Sequence, residues 1–238
     1  MIASSQVAKF ANAVPFWCSL LLIPLVWITA GLGSWWVLLV PFTTWYLFAA
    51  LDAVTGLNLE NADLDTTDEH LKWYRMVTLI WPALQFVTIF GLIFYATRAD
   101  HLSTGALIGV FFGVGVISGT IGINYSHELM HQKPKAERWL GDILLSMVLY
   151  SHFRSEHLLV HHRYVGTPRD PVTARYNEGF HRFFPRVLIG SLRSSFKAEK
   201  DMLVRKDLPW TALSNPFFRY WALQGGMLLL ALIIGGWL

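Results

Sequence analysis

An all-α integral membrane bundle is the fold this chain predicts, on two observations. The composition is too apolar for water, and five runs are long enough to cross a bilayer. Of the 238 residues, 54% are hydrophobic and 15% charged, whereas soluble domains carry about 25% charged residues. Eleven Trp, sixteen Phe and eight Tyr exclude a disordered polymer, whose signature is few aromatics and low hydrophobicity. A single cysteine, Cys18, excludes an internal disulfide and any cysteine-based zinc or iron–sulfur site.

Crossing a bilayer takes about 20 mostly apolar helical residues. Residues 14–32, 35–54, 76–96, 104–123 and 220–238 are runs of this kind. The first lacks a convincing cleavage site and is read as a retained span. Pro24, Pro41 and Pro82 fall inside spans, where bilayer helices tolerate proline. A shorter apolar run, 139–150, cannot cross and carries Asp142, so it is expected to be a re-entrant or interfacial helix. Trp35, Trp36, Trp45 and Trp81 read as belt or packing residues. The last run ends at Leu238 without a polar tail, with Trp237 the one available anchor. The expectation is a chain cut short at or just after its fifth span.

Residues 132–215 hold fourteen of the nineteen Lys and Arg against eight acids. By the positive-inside rule this segment is cytoplasmic. Counting spans backwards then places Lys9, the N-terminus and loop 55–74 inside as well. That loop is acidic (Glu60, Asp63, Asp65, Asp68, Glu69), but carboxylates contribute little to topology. Residues 164–185 read as a loop, punctuated by Pro168, Pro171, Gly179 and Pro185. Residues 186–205 read as an amphipathic surface helix with Leu188, Leu192, Phe196 and Leu203 on its apolar side and its cations against anionic lipid. No motif supports binding to nucleic acid.

Five of nine histidines fall into two groups, His127-Glu-Leu-Met-His131 and Glu156-His157-Leu-Leu-Val-His161-His162. Residues four apart share a helix face, so His127 with His131, and His157 with His161, can each grip one metal ion. His162, turned about 100° further in an α-helix, reaches a second ion or completes the first. Neutral imidazole is a common ligand of zinc, copper and iron. Read alone, His127-Glu128-x-x-His131 is also the zinc-peptidase pattern, with Glu128 as general base. One catalytic zinc needs only one further protein ligand, and this chain offers three more clustered histidines. Haem is disfavoured because none of the five long runs has a mid-span histidine. Glu128 and Glu156 adjoin the histidines and read as hydrogen-bond acceptors that orient imidazoles, with His152 in a similar supporting role. Asp52 either partners the site or faces interfacial water. His70, His101 and His181 read as solvated or interfacial.

These motifs, with Tyr150-Ser-His152-Phe and Thr167-Pro168-x-Asp170-Pro171-x-x-x-Arg175, resemble the membrane-bound alkane 1-monooxygenase family, within the fatty-acid desaturase/hydroxylase superfamily. Three residues separate His157 from the His161-His162 pair; this is similar to the alkane hydroxylases, whereas desaturases typically have two. Further similarity runs from Leu51-Asp52-Ala53 to Glu199. Two departures are Val160, where the family usually has Gly, and the family's third histidine box, which lies downstream of Leu238.

The resemblance implies a single six-span membrane domain, of which five spans are present, with a cytoplasmic region of about residues 124–215. It implies two non-haem iron ions held by His127, His131, His157, His161 and His162, and O2 as co-substrate. It implies hydroxylation of the terminal methyl of an alkane-like chain entering from the bilayer. It implies electrons from rubredoxin and its reductase, with the basic cytoplasmic segment receiving the acidic donor, and a bacterial inner membrane as the location. The stretch alone is expected to be inactive, its iron shell incomplete. The alternatives are a lipid desaturase or other lipid hydroxylase, a membrane zinc metallopeptidase, and a non-catalytic metal-binding fragment.

Overall fold

The computed structural model describes Phe10, residues 13–55 and residues 68–236, with the side chains of 55 and 68–70 excepted. Lys9, Trp237, Leu238 and most of the acidic loop lie outside the described residues. Those described are helical, joined by turns and short loops, with no strand among them. Five helices are long and apolar enough to cross a membrane, as the composition predicts. They are α1 (Ala13–Leu32), α2 (Ser34–Val54), α3 (Asp68–Ala96, of which Leu71–Ala96 forms the span), α4 (Thr104–Met130) and α8 (Pro216–Gly235). Between the last two lie α5 (Lys135–Met147), α6 (residues 153–164) and α7 (Phe180–Val204). The chain divides into two compact units, Met1–Leu144 with Leu230–Leu238, and Leu145–Leu229.

In the first unit, α1 and α2 meet at a one-residue joint. Gly33 takes φ +62°, a left-handed conformation suited to glycine, and its N–H donates to Thr29 O at 2.9 Å. Ser103 caps α4, its Oγ accepting from Ala106 N at 3.2 Å. Along α4, Gly109 and Gly113 face α2 so closely that a Cβ on Gly109 would stand 2.3 Å from Val37 Cγ2. Small residues four apart are how membrane helices bring backbones together without a hydrophobic drive. Two polar contacts tie these spans together: Trp81 Nε1 donates to Gln85 Oε1 at 2.7 Å, and Tyr125 and Ser19 hydroxyls lie 2.7 Å apart. Trp81 is a packing residue, fully buried, whereas Trp35, Trp36 and Trp45 are exposed on the outer surface. His101 fastens the turn before α4, its Nε2 lying 3.2 Å from Ala30 O.

The end of α4 differs from the one the sequence suggests. Helix α4 runs to Met130 rather than stopping near Ile123, because the polar stretch Asn124–Glu128 continues the same helix; hydropathy registers the end of apolar composition, not of hydrogen bonding. The start of the 124–215 region therefore lies on a candidate span. The short apolar run is the helix α5, whose Asp142 is buried.

In the second unit, α7 begins at Phe180 and contains Pro185. A proline this near the helix start costs few hydrogen bonds, while Gly179 O accepts from both Arg182 and Phe183 N–H at 3.0 Å. The buried side of α7 is Val187, Ser191, Ser195, Glu199 and Leu203, spaced every fourth residue and packed on α6. Leu188, Leu192 and Phe196 are exposed, whereas Leu203 near the helix end is buried. Phe196 lies 3.9 Å from Trp210 and 5.3 Å from Phe217 between ring centroids, which sets α7 level with the first turn of α8.

Overpacking a close helix contact costs about 1–3 kcal/mol. Gly109→Val is therefore expected to lower the melting temperature of the detergent-solubilised chain clearly. Gly115→Val, with nothing within 4 Å of its Cβ position, is expected to leave it nearly unchanged.

Candidate metal-ligating residues

The first unit carries His127 in the last turn of α4 and His131 just beyond it, with ring centroids 4.9 Å apart. The end of α4 is held from two sides. Ser126 Oγ donates to Gly141 O of α5 at 3.0 Å, and Arg138 donates to Gln132 O at 3.0 Å and to Lys133 O. Arg138 thus satisfies carbonyls just past the helix end. Helix α5 is itself fixed to α3 by the Arg75–Glu137 ion pair. Glu128 Oε1 lies 3.5 Å from His127 Nδ1, and its side chain is 62% exposed. That separation exceeds a normal hydrogen bond.

The second unit carries the other three histidines on α6, which is not a regular α-helix. Phe153–Glu156 is α-helical, His157–His161 forms a π turn, and His162–Tyr164 resumes the α-helix. In a π turn hydrogen bonds run i→i+5, and here His162 N–H donates to His157 O. His162 is consequently brought back over His157, with their Nε2 atoms 2.9 Å apart. The expectation that His162 turns about 100° away is corrected by this local widening. His161 stacks on His157 with centroids 5.3 Å apart.

One residue absent from the predicted site holds His161 in place. Asp170 is buried, and its Oδ2 lies 2.9 Å from His161 Nδ1. Thr173 Oγ1 donates to the same carboxylate at 2.7 Å, and Val172 N at 2.9 Å. Burial pushes the Asp170 carboxyl up, but these donors together with His161 outweigh it and hold it below the usual carboxylate range. An ionised carboxylate only accepts, so His161 Nδ1 carries the proton of this contact and Nε2 is the nitrogen left to face a metal. Carboxylate, imidazole and metal in that order is the usual support of a ligating histidine. The signal in sequence was the Asp170-Pro171 loop nine residues on, but spacing alone does not show where a loop folds back.

Glu156 is fully buried, and neither carboxylate oxygen has a hydrogen-bond partner. Burial, with the Asp170 charge adding to it, pushes its carboxyl up to about 7. His152 Nε2 is also buried without a partner, and burial lowers its ring to about 4. Below Glu156, Ser155 Oγ donates to Glu199 Oε1 at 2.5 Å and lies 2.8 Å from Tyr220 Oη, joining α6, α7 and α8. The donor set fits a cation: imidazole nitrogens are suited to iron, zinc or copper, one ring is pre-oriented by a carboxylate, and an unpartnered buried carboxyl adjoins His157. His181 is exposed, edge-on to Phe180, and Asp52 is exposed on α2.

An apolar helical chain with five candidate spans and clustered histidines that could hold a metal ion defines a class: integral membrane proteins. Residues 102–238 match the family model described as fatty acid desaturase, and the chain belongs to that family. Within it the chain is similar to alkane 1-monooxygenase 2 of Alcanivorax borkumensis, with 29% identity over 93% of this chain and 60% of that protein. It is similar to alkane 1-monooxygenase 2 of Pseudomonas aeruginosa at 30% identity, over 90% of this chain and 61% of that one. The xylene/toluene monooxygenase hydroxylase component of Pseudomonas putida matches at 25% over 86% of the chain and 54% of its own length. The chain spans about three-fifths of the length of the first two relatives.

Two outcomes test the second unit. Asp170→Asn removes the carboxylate that fixes the His161 tautomer, and losses of such partners cost about 10–100-fold in metal affinity. Titration of the purified chain with Co2+, followed by its visible absorption, is expected to show this loss, with Glu128→Gln close to the unaltered chain. Separately, Arg186 pairs with Glu178 through Nε at 2.6 Å and Nη2 at 2.5 Å, which with the Arg175 N–H lowers the Glu178 carboxyl to about 2 from its ordinary 4.5. A depressed carboxyl stabilises the fold fully above its unfolded value and loses that effect as pH falls through the folded one. The melting-temperature difference between the unaltered chain and Glu178→Gln is therefore expected to be constant above about pH 4.5 and to vanish toward pH 2.

Proposed function

We propose that this chain is the membrane-embedded part of an O2-dependent hydroxylase that converts the terminal methyl of an alkane-like chain into an alcohol. In this reading His127, His131, His157, His161 and His162 hold two non-haem iron ions. The observation that carries it is the histidine set of α6, with His157 and His162 nitrogens 2.9 Å apart and His161 oriented by Asp170. The names of the relatives support the substrate class.

A terminal C–H bond has no acidic proton and no polar handle, so acid–base side chains cannot attack it. The irons, when bound, supply the O2 activation that such a bond demands. The chain's own residues bind and orient. Asp170 holds the His161 tautomer, Glu156 places a carboxyl beside His157, and the apolar spans admit a substrate already dissolved in lipid. Each buried CH2 contributes about 0.8 kcal/mol to holding it. Electrons come from rubredoxin and its reductase. The N-terminus and the histidines face the cytoplasm, and the membrane is a bacterial inner one.

The test has two readouts. The chain purified from iron-supplemented cells is expected to carry iron, and to lose most of it in His157→Ala and His161→Ala. Joining the C-terminal part of the P. aeruginosa relative after Leu238 is then expected to give 1-alcohol from n-alkane when rubredoxin, reductase and NADH are supplied. Alkene in place of alcohol would identify a desaturase. Zinc in place of iron, with peptide cleavage abolished by Glu128→Gln, would identify a peptidase.

A further inference from the structure

A second feature of the Leu145–Leu229 unit has no part in holding iron. Between loop 168–175 and α7 lies an open pocket of about 340 Å³ whose wall carries Arg169, Arg175, Arg186, Arg193 and Lys197. Arg186 is neutralised by Glu178 and also donates to Pro171 O at 2.7 Å, so it braces the loop against the helix. Gly190 forms the floor, and a Cβ there would come within 2.7 Å of Pro171 Cβ. Among the described residues no carboxylate pairs with Arg193, Lys197 or Arg169, the last of which lies 5.6 Å from the Tyr164 ring. Glu178 and the buried Asp170 are the acids nearby, so the pocket holds a surplus of positive charge facing open space.

We propose that this pocket is a binding site for the phosphate of an anionic phospholipid headgroup. Helix position favours lipid over a soluble anion. Arg193 lies one turn from both Ile189 and Phe196, which are 54% and 37% exposed, and Leu188 and Leu192 extend that apolar stripe. Phe196 packs on Trp210 and on Phe217 at the start of span α8, so the stripe stands level with the membrane boundary. Trp221, one turn into α8, is exposed there as an interfacial aromatic. A cation pocket beside an exposed apolar stripe at that depth takes a headgroup in the first and acyl chain along the second. Concavity favours a small group over an acidic protein face. The inference uses only the membrane location, so it stands apart from the iron reading.

The detergent-purified chain, without iron or alkane, is titrated with phosphatidylglycerol, phosphatidylcholine or inorganic phosphate, and bound lipid is counted by native mass spectrometry. Phosphatidylglycerol is expected to be retained in preference, by about fivefold for each cation engaged. R193Q/K197Q is expected to lose most of that preference, while the charge-conserving R193K/K197R keeps it. Lys133→Gln with Lys135→Gln, remote in sequence, is also expected to keep it, which separates the pocket from general charge. Equal retention of the two lipids, or an R193Q/K197Q double variant that behaves as the parent, overturns the proposal. Inorganic phosphate displacing the lipid at equal concentration makes this a free-anion site and overturns it. A double variant with unchanged lipid retention but weakened binding of an acidic electron-donor protein assigns the cations to that partner and likewise overturns it.

Discussion

The Asp170 carboxylate organises the second unit from its interior. Its two oxygens take donors from His161, Thr173 and Val172, so one buried charge holds both an α6 histidine and the turn that follows it. Loop 165–179 has no regular structure of its own, and its order rests on this carboxylate at one end and the Glu178–Arg186 pair at the other. Breaking either end releases backbone that also lines the cation pocket. Leaving a buried charge without its donors costs more than the hydrogen bonds contribute.

The contact between α6 and α7 follows the same economy of charge. Ser191, Ser195 and Glu199 are buried on α7, and Ser155 and Glu156 on α6. Small residues let the two helices approach, and hydrogen bonds such as that of Ser155 to Glu199 fix the contact. Ser155, shared by Glu199 and Tyr220, ties three helices through one hydroxyl. Burial raises the Glu199 carboxyl even though the Ser155 hydrogen bond works against it. Glu156, lacking any hydrogen-bond donor, is raised further, to about 7. Two carboxyls one helix apart thus differ in whether a partner is present, which leaves Glu156 free to answer a cation.

Span positions were legible in the chain because lipid imposes one requirement, about 20 mostly apolar residues, and the five runs meet it. The histidine groups were legible because imidazole spacing is short-range. What composition hid was geometry that depends on distant partners. Along the continuation of α4, the Tyr125 hydroxyl pairs with that of Ser19 and the Ser126 hydroxyl donates to Gly141 O, contacts outside any local window. Helix α7 keeps Pro185 because Gly179 supplies its first hydrogen bonds and Arg186 anchors the turn beside it. Asp170 was quoted as part of a motif but not as a support for His161, since nothing in the spacing of nine residues says that the chain turns back.

The π turn accounts for the spacing that distinguishes this histidine box. With two intervening residues, the paired histidines would stand at i+3 and i+4, both beside i on a regular helix. A third intervening residue moves the pair to i+4 and i+5, and on an α-helix the second would swing off the shared face. Widening the turn to i→i+5 bonding restores it, and His162 returns to within 2.9 Å of His157 between ring nitrogens. The three-residue spacing and the π turn therefore belong together. His161 lies on Asp170 while His157 and His162 face each other, so each ring has a different neighbour. π turns are strained and seldom kept without a reason; here the reason is the register of three nitrogen donors.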